Sequence, residues 1–436
     1  MKVFKFGGAS VNSAGAIKNV TSILRLYRDE NLIVVISAMG KITNALEKVV
    51  DAAFFSKPAL EAEMMTVEDF HGQILEGLFP QKGHPVFEIV AQIFEDIRKS
   101  AHHPIGNYDE FYDRIVPFGE ILSTNIISAY LDENGLKNYL LNAGEVIITN
   151  DRFRDAAVDW KITDGKISKT VSGIFESPGN PQNLIITQGF IGNTQDGKPT
   201  TLGREGSDFT ASVFAFCTNA SEVIVWKDVA GLLNADPVYF SDTIRIPRLS
   251  YREAIELSFF GAKILHPKTI KPLQNKSIPL RIKSFADPLS EGSLIQESDV
   301  SDQIVPFLIL KKDQMLISFS TKDFSFITEE KLYRLFGEFT RQNIKVNLMQ
   351  NSAISFTVCV NHPGIKLEFL IKSLSVDFDI KYNENLELLT IRHFNNDVIE
   401  KHLKGCNIFL EQRSRKTFQA AYIKFQEPKI KMQHKT

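Results

Sequence analysis

Twice within its first 55 residues the chain repeats one pattern: a short apolar segment, a turn of small residues and an amphipathic segment. Residues 3–6 run into Gly7-Gly8-Ala9-Ser10, and residues 32–36 run into Ser37-Ala38-Met39-Gly40. Residues 32–36 are apolar without interruption, which is typical of a strand buried on both faces of a parallel sheet. The spacing of apolar residues predicts helices over about 13–28 and 43–55.

The same alternation continues to about residue 286. It predicts mainly helical structure over 59–115, further helices at 118–131, 209–217 and 251–261, and strands at 184–191, 223–226 and 278–285. Strands that alternate with helices in this way predict an α/β sandwich built on a mainly parallel sheet.

Beyond residue 286 the predicted strands become shorter and more frequent. Asp287-Pro288 and Glu291-Gly292-Ser293 form a turn-rich boundary. We expect strands near 303–310, 314–320, 344–350, 354–360, 378–383, 386–392, 407–413 and 417–425, and helices near 329–342, 364–374 and 396–403. So many strands with few helices in this part indicate two small α+β units.

Composition excludes several classes of protein. The 50 Lys and Arg residues nearly balance the 52 Asp and Glu residues, so the strong basic field of nucleic-acid and membrane-surface binders is missing. The cysteines Cys217, Cys359 and Cys406 form no C-x-x-C pair, which argues against a disulfide framework or a structural zinc site. The longest apolar stretches, about 6 residues, are far below the ~20 that span a bilayer, and the first residues do not read as a signal peptide. We therefore expect a cytoplasmic protein whose 436 residues form two or three domains.

One apparent phosphate-binding motif is discounted. The segment from Gly192 to Lys198 matches the G-x-x-x-x-G-K start of a P-loop, but Pro199 stands where a Ser or Thr hydroxyl should hold Mg²⁺. Asn193, Asp196-Gly197 and Pro199 instead predict a hairpin turn. No G-x-G-x-x-G occurs, so nothing indicates a Rossmann dinucleotide site.

Two glycine-containing turns give the strongest indication of an anion-binding site. Lys5-Phe-Gly7-Gly8-Ala-Ser10 follows a predicted strand, where glycine amides can approach an anion and Lys5 adds a mobile charge. A plain strand-to-helix turn is the alternative. Gly203-Arg204-Glu-Gly206-Ser207-Asp208 precedes a predicted helix and offers backbone donors, a bidentate guanidinium and a carboxylate. Capping of the helix by Ser207 alone is the alternative, but a cap requires neither Arg204 nor two glycines.

Three further segments give weaker indications. Val225-Trp-Lys227-Asp228 leads from a buried strand into a loop, where open α/β sheets bind ligands. In Phe260-Gly-Ala-Lys263-Ile-Leu-His266-Pro267, Lys263 could bind an anion or only cap a helix C-terminus. In Phe118-Gly119-Glu120, the carboxylate could be functional or simply favoured by the dipole at a helix N-terminus.

Together these segments closely resemble aspartate kinases of the amino-acid kinase family. The matching stretches are 5–10, 37–44, 118–124, 203–211, 225–236 and 260–267, in the family's order and at its spacing across residues 1–290. The rest resembles the family's paired ACT units, one inserted into the other. The resemblance implies a three-layer catalytic domain over 1–295 and a regulatory region over 300–436. In that region a ferredoxin-like unit at about 314–383 would be inserted into a second one formed by 303–310 and 386–425.

The resemblance also implies a reaction. It is the ATP-dependent phosphorylation of the L-aspartate β-carboxylate to 4-phospho-L-aspartate by direct in-line transfer, the first step toward lysine, threonine and methionine. An ionised carboxylate is already a nucleophile, so the site needs no catalytic base. It must instead position two anions and neutralise the transferring phosphoryl group. Further implications are Mg²⁺ held mainly by the nucleotide phosphates without a protein metal site, a possible feedback amino acid at the ACT units, and a homodimer formed through them.

By the same resemblance, site residues can be assigned roles. The catalytic residues would be Lys5, at the transferring phosphates, and Asp208, which would orient lysines or Mg²⁺ without acting as a base. Arg204 would clamp a substrate carboxylate, and Glu120 would attract the substrate ammonium. The other aspartate-binding residues would be Thr43, Glu205, Gly206 and Ser207. The nucleotide-binding residues would be Lys5, Gly7, Gly8, Ser37, Lys227, Asp228, Leu233, Val238, Lys263 and Ile264.

Several positions depart from the common family pattern. These are Ala9 and Lys227, which replace Thr, Glu205, which replaces Gly, and Leu233 and Val238, where some relatives have Tyr and Arg. These departures leave the group of charged site residues intact, but they affect the expected affinity for the nucleotide. Asn347 stands where lysine-sensitive relatives often have Asp, so the resemblance does not identify an effector.

Two alternatives remain open. The first is another family member that acts on glutamate, acetylglutamate or UMP; the ACT units and Phe118-Gly119-Glu120 count against it. The second is a catalytically inactive amino-acid sensor, which the retained charged residues Lys5, Glu120, Arg204, Asp208 and Lys263 disfavour. A fusion to homoserine dehydrogenase is not expected, because no further segment follows the ACT units.

Overall fold

A mainly parallel sheet and an antiparallel sheet organise the chain. The computed structural model describes residues 1–81, 83–103, 106–177, 183–262, 265–297 and 305–424. These residues fall into two compact units. One lies within Met1–Leu232, Arg245–Ile255 and Ile264–Asp302, and the other within Leu233–Ile244, Glu256–Lys263 and Gln303–Thr436.

Helices and strands alternate up to residue 297, as the sequence predicts. The helices are α1 (Ala14–Arg25), α2 (Ile42–Phe54), α3 (Leu60–Leu78), α4 (Val86–His102), α5 (Tyr108–Ile115), α6 (Phe118–Glu133), α7 (Ala143–Val146), α8 (Trp160–Phe175), α9 (Gly206–Thr218), α10 (Tyr251–Phe260) and α11 (Pro267–Asn275). The strands are β1 (Lys2–Phe6), β2 (Leu32–Ile36), β3 (Tyr139–Leu141), β4 (Ile148–Thr149), β5 (Leu184–Gln188), β6 (Ile191–Thr194), β7 (Pro199–Thr201), β8 (Glu222–Lys227), β9 (Leu232–Leu233), β10 (Arg245–Ile246), β11 (Arg248–Ser250), β12 (Leu280–Ser284) and β13 (Ser293–Gln296).

The main sheet of the first unit has the strand order β11-β13-β12-β8-β1-β2-β5-β3. Within the described residues, its neighbouring strands pair in parallel except β12 and β13. The prediction of a mainly parallel sheet is therefore confirmed. Phe4, Phe6 and Ile36 belong to a core shared with helices α1 to α6, whereas Lys5 between them reaches α9 on the other face. Helices thus cover both faces of the sheet. Open α/β sheets of this kind bind ligands beyond the carboxyl ends of their strands, which here are the ends of β1, β2 and β8.

The discounted P-loop is a hairpin, as predicted. Strands β6 and β7 pair antiparallel, and the backbone N–H of Thr194 donates to the carbonyl of Lys198. Gly197 has a φ of 86°, a left-handed conformation that glycine adopts without strain. The segment therefore closes a turn between two strands and opens no helix.

The second unit carries an antiparallel sheet. Its strands are β14 (Phe307–Thr321), β15 (Val346–Asn351), β16 (Ser355–Asn361), β17 (Phe378–Arg392), β18 (Cys406–Arg413) and β19 (Thr417–Lys424). Its helices are α12 (Glu329–Arg341), α13 (Lys366–Leu374) and α14 (Asn396–Leu403). The strand order within the described residues is β15-β16-β14-β17-β19-β18. Residues 314–383 alone give a β-α-β-β-α-β sequence of elements, which is the ferredoxin-like order.

The strand boundaries of the second unit need a correction. The separate strands predicted at 303–310 and 314–320 belong to the one strand β14, and those at 378–383 and 386–392 belong to β17. Residues 303, 304 and 425 lie outside the described residues. Asp313 and Asn385 have positive φ angles of 53° and 58° and lie within paired strands. The polar residues that flank Asp313 and Asn385 in the sequence predict turns there. In the structure the pairing of β14 with β17 continues past both residues, with register shifts between Lys311 and Leu316.

Helix α1 provides a test of the packing. Ile23 is fully buried against the sheet, whereas Leu26, one residue beyond the helix, is 57% exposed. We expect Ile23→Ala to lower the free energy of unfolding by about 2–5 kcal/mol, because it leaves a cavity in the core. Leu26→Ala should change it by less than about 1 kcal/mol. Urea unfolding monitored by circular dichroism would measure both, and equal effects would contradict the assigned orientation of α1.

Candidate active site

A buried ion pair joins the end of β1 to the first turn of α9. Lys5 Nζ lies 2.6 Å from Asp208 Oδ1, and the two side chains are 11% and 6% exposed. Side chains alternate along a strand, so burial of Phe4 and Phe6 in one core directs Lys5 to the opposite face. Because a buried charge without a partner is costly, each member of the pair holds the other in place.

The turns that follow β1 and β2 pack directly against each other. A Cβ atom on Gly8 would lie 2.7 Å from the carbonyl oxygen of Gly40 and 2.8 Å from that of Ala38. The N–H of Gly40 donates to the carbonyl of Gly8 over 3.0 Å. A Cβ atom on Gly7 would lie 3.3 Å from Lys5 Nζ. Only glycine fits at position 8, and a glycine at position 7 leaves room for the Lys5 ammonium.

The turn before α9 is built from left-handed residues. Gly203 has a φ of 76° and Glu205 a φ of 56°, and Glu205 is the residue that precedes the helix. The side chain of Glu205 makes no capping hydrogen bond to this helix, and Ser207 lies inside its first turn. The alternative that Ser207 alone caps the helix is therefore wrong. Arg204 is exposed, and no described residue forms an ion pair with it, so its guanidinium is available to a ligand.

Glu120 is a buried carboxylate at the start of α6. A Cβ atom on the preceding Gly119 would lie 2.9 Å from the Cβ of Ala38, so this glycine lets the helix approach the turn. The backbone N–H of Ala38 donates to Glu120 Oε1 over 3.1 Å, and Glu120 Oε2 is buried without a hydrogen-bond partner among the described residues. Burial raises the pKa of Glu120 to about 8, although the bond from Ala38 and the Lys5 charge act against the rise. The site thus holds a carboxyl group that a cationic ligand group would ionise.

These elements surround a cavity of about 560 Å³ in the first unit. Residues that the sequence assigned to the site line much of it: Lys5, Gly8, Ser37, Thr43, Glu120, Arg204, Glu205, Gly206, Ser207 and Asp208. They come from the ends of β1 and β2 and the starts of α2, α6 and α9. Distant stretches of sequence therefore converge on one pocket at the carboxyl edge of the sheet.

Part of the cavity wall was not predicted from the sequence. It includes Asn44 and Glu47 on α2, Tyr112 on α5, and Arg154. The Tyr112 hydroxyl donates to Glu47 Oε1 over 2.8 Å, and the Arg154 guanidinium lies 4.4 Å from the centre of the Tyr112 ring. Residues 108–115 show only the apolar spacing of a packed helix, so no motif marks Tyr112.

Several residues assigned to the nucleotide do not line this cavity. Lys227 ends β8, whose register with β1 pairs Val225 with Lys5, and Asp228 follows on the surface. Leu233 and Val238 belong to the second unit, where Val238 is 78% exposed. Two further assigned positions, Lys263 and Ile264, lie outside the described residues.

The charges of the cavity define what it can bind. The cations are Lys5, Arg154 and Arg204, and the acids are Glu47, Glu120, Glu205 and Asp208 among its described lining residues. In the described ranges, no three His, Cys, Asp or Glu side chains are grouped so that they could hold a metal ion. No helix in these ranges is both long and apolar enough to cross a membrane. The cavity suits a small ligand that carries both anionic and cationic groups.

Comparison with known proteins gives a consistent result. The sequence model of the amino acid kinase family matches residues 1–284. The chain is 30% identical over 369 residues to aspartokinase 1, chloroplastic, of Arabidopsis thaliana, which covers 82% of this chain and 63% of that protein. It is 29% identical to lysine-sensitive aspartokinase 3 of Escherichia coli, with 93% of this chain and 90% of that protein covered.

A solved structure extends the similarity to the fold. The crystal structure of E. coli aspartokinase III in complex with aspartate and ADP superimposes with a TM-score of 0.79 and 27% identity, over 97% of this chain and 96% of that one. The chain spans less than two thirds of the Arabidopsis relative but nearly all of the bacterial one. With the family match over residues 1–284 and the site that those residues build, the chain belongs to the amino acid kinase family.

Proposed function

We propose that the chain is an aspartate kinase, which transfers the γ-phosphoryl group of ATP to the β-carboxylate of L-aspartate and releases 4-phospho-L-aspartate and ADP. The observation that carries the proposal is the cavity that brings the Lys5–Asp208 ion pair, buried Glu120 and the turn of Arg204 together. The similarity to the E. coli enzyme, whose structure contains aspartate and ADP, supports this choice of substrates. A location in the cytoplasm stays a prediction.

In the proposed reaction, an oxygen of the ionised β-carboxylate attacks the γ-phosphorus while the bond to the ADP oxygen breaks. No proton has to be removed from the nucleophile, so Asp208 need not act as a base. Its role is to hold Lys5, whose ammonium would neutralise charge on the transferring group. Glu120 would receive the substrate ammonium, and Arg204 would bind the other carboxylate. Thr43, Glu205, Gly206 and Ser207 would complete the aspartate pocket.

The nucleotide would approach from the carboxyl end of β8. Gly7, Gly8, Ser37, Lys227 and Asp228 are the candidates in the first unit, with Leu233, Val238, Lys263 and Ile264 assigned by resemblance. We propose that Mg²⁺ is held mainly by the nucleotide phosphates; Asp208, which is ion-paired with Lys5, is a carboxylate of the cavity that could help to hold it. The ion would supply further charge neutralisation at the phosphates.

A regulatory role is proposed for residues 300–436. The catalytic domain would comprise 1–295, and the regulatory region would comprise an ACT unit at about 314–383 and a second one from 303–310 and 386–425. The ferredoxin-like order of elements over 314–383 supports the first of these. A feedback amino acid could bind here; lysine is present in one structure of the E. coli relative.

A hydroxamate assay with ATP and L-aspartate tests the function and the role of Lys5. We expect turnover with L-aspartate and far less with L-glutamate or N-acetylglutamate. Lys5→Ala should lower kcat by about 10²–10³-fold, because a preorganised charge at the phosphoryl group is lost. Lys2→Ala, which removes a half-buried charge that lies at the other end of the same strand, pairs with Glu30 and does not line the cavity, should leave kcat within about twofold.

Lys5→Ala also leaves Asp208 buried without its cation, so the double variant Lys5→Ala/Asp208→Asn separates lost chemistry from lost folding. A folded double variant that is as slow as Lys5→Ala supports the assignment. Near-normal turnover in either variant would remove Lys5 from the mechanism. Preference for glutamate in this assay, or faster release of ADP with UMP than with aspartate, would replace aspartate as the substrate.

Glu120 gives a prediction that links pH, stability and function. Its pKa is raised to about 8 by burial, against 4.5 in the unfolded chain. Between these values the folded protein keeps a proton that the unfolded chain has lost, so Glu120 lowers stability as pH rises from 4.5 to 8. We expect Glu120→Gln to raise the free energy of unfolding at pH 8 by about 2–4 kcal/mol and to have little effect at pH 5. It should also raise the KM for aspartate, because the ammonium loses its ionised partner.

Urea unfolding at the two pH values measures the stability effect. Glu133→Gln, at the exposed end of the same helix, is the matched control and should change neither stability nor KM. A Glu120→Gln variant that is less stable than the wild type at pH 8 would contradict the burial argument.

The homodimer is a separate prediction. Exposed apolar side chains on the ferredoxin-like segment, such as Phe324 (79% exposed), Phe326 (70%) and Tyr333 (82%), offer a surface that a second copy could cover. Light scattering at micromolar concentration should give twice the chain mass of 49.2 kDa. A strict monomer would contradict the assignment.

A further inference from the structure

The rim of the cavity carries a second arginine, which no motif in the sequence indicated. Arg154 lines the cavity together with Arg204, and its side chain is 45% exposed. Arg154 lies between β4 and α8. In sequence it is far from the turn before α9, whose residues line the same cavity. Its guanidinium therefore adds a positive charge to the site.

The backbone of Arg154 is held in a conformation that arginine rarely adopts. Its φ is 64°, in the left-handed region where a residue with a Cβ atom is strained. The buried Asp113 carboxylate accepts the N–H of Arg154 over 2.9 Å, and it also accepts the N–H and hydroxyl of Thr201. Residues kept in strained conformations by such buried contacts are concentrated at functional sites. The buried contacts around Arg154 thus impose the strain on its backbone, and Arg154 is a residue that lines the cavity.

Contacts of the Arg154 side chain orient it without using all its donors. Its guanidinium stacks on the Tyr112 ring, 4.4 Å from the centre, and Nη1 donates to Asp109 Oδ1 over 3.1 Å. Asp109 is 56% exposed, so this ion pair is weak and open to competition. A guanidinium has five N–H donors, and Asp109 is the only described residue that accepts a hydrogen bond from this one. The remaining donors are free for an anion.

The turns of Arg154 and Arg204 touch. A Cβ atom on Gly203 would lie 3.2 Å from the carbonyl oxygen of Arg154 and 2.7 Å from Asp155 Oδ1. The glycine at 203 therefore lets one turn pack directly onto the other. As a result, the side chains of Arg154 and Arg204 extend from neighbouring turns at the rim of the cavity. The Lys5 ammonium lies at the buried end of the cavity.

We propose that Arg154 and Arg204 together clamp the non-reacting carboxylate of the substrate, so that Arg154 determines affinity for a dicarboxylate. This inference rests on the proposed function, because it requires a substrate with two acidic groups. The reacting carboxylate goes to Lys5 and the phosphates, and the second carboxylate stays at the rim. Two guanidiniums can satisfy both of its oxygens with charge-assisted hydrogen bonds.

The replacement Arg154→Gly tests the clamp because glycine accepts a φ of 64° without strain. We expect the melting temperature to stay within about 3 °C of the wild type, since relieved strain offsets the lost side-chain contacts. The KM for L-aspartate should rise about 10–100-fold, as expected for a lost hydrogen bond to a charged group. Values of kcat and of the KM for ATP should stay within about threefold.

Arg152→Gly is the matched control, since it removes the same charge from the same turn. Its side chain is 73% exposed and does not line the cavity. A rise in the aspartate KM of equal size in Arg152→Gly would overturn the clamp. So would an Arg154→Gly variant that loses kcat at unchanged KM, or one that raises the KM for ATP alone.

An altered substrate shows which group Arg154 binds. L-Isoasparagine has an amide in place of the α-carboxylate, so Arg154→Gly should change its KM by less than about threefold. An effect as large as that on L-aspartate would overturn the assignment. If Arg154→Gly unfolds, Arg154→Asn takes its place, because asparagine tolerates the left-handed region. Absence of any aspartate phosphorylation by the wild type contradicts the proposed function, whereas normal turnover with an unchanged KM in Arg154→Gly contradicts only the clamp.

Discussion

The ion pair between Lys5 and Asp208 is the contact on which the candidate site depends. It joins the central strand of the parallel sheet to the helix whose first turn forms the opposite wall of the cavity. A lone ammonium at this depth would be destabilising, and so would a lone carboxylate. Together they fix a positive charge beside glycines that leave the backbone accessible. In the proposed reaction, this arrangement would bring a phosphoryl group and a carboxylate together despite their repulsion.

Two other charged residues of the cavity lower the stability of the folded protein, which is not expected of residues with a purely structural role. Glu120 is buried, and one of its carboxylate oxygens has no hydrogen-bond partner within the part of the chain that the structure describes; Arg154 is held in a left-handed conformation. Each lowers stability in the free protein, and each presents a polar group to the cavity. In the proposed function the ligand would offset both costs, by supplying an ammonium to Glu120 and a carboxylate to the arginines. The substrate would therefore also stabilise the folded state.

The sequence sufficed for features that depend on local pattern. The uninterrupted apolar run of β2 indicated a parallel sheet, and Asp196-Gly197 with Pro199 indicated a hairpin instead of a P-loop. The sequence could not predict strand boundaries that depend on long-range pairing. Strand β14, for example, continues past Asp313 because it is paired with its neighbouring strands. Arg154 was missed for the same reason: its place in the cavity comes from Asp113 and Gly203, distant residues that no linear motif connects to it.

A crystal structure with ADP and L-aspartate bound tests the central claim most directly. The account predicts one carboxylate of the amino acid within about 2.7–3.2 Å of Lys5 Nζ, facing the nucleotide phosphates. Its other carboxylate should lie against the turn that contains Arg204. A structure in which neither ligand touches Lys5 or the turn of residues 203–208 would contradict the account.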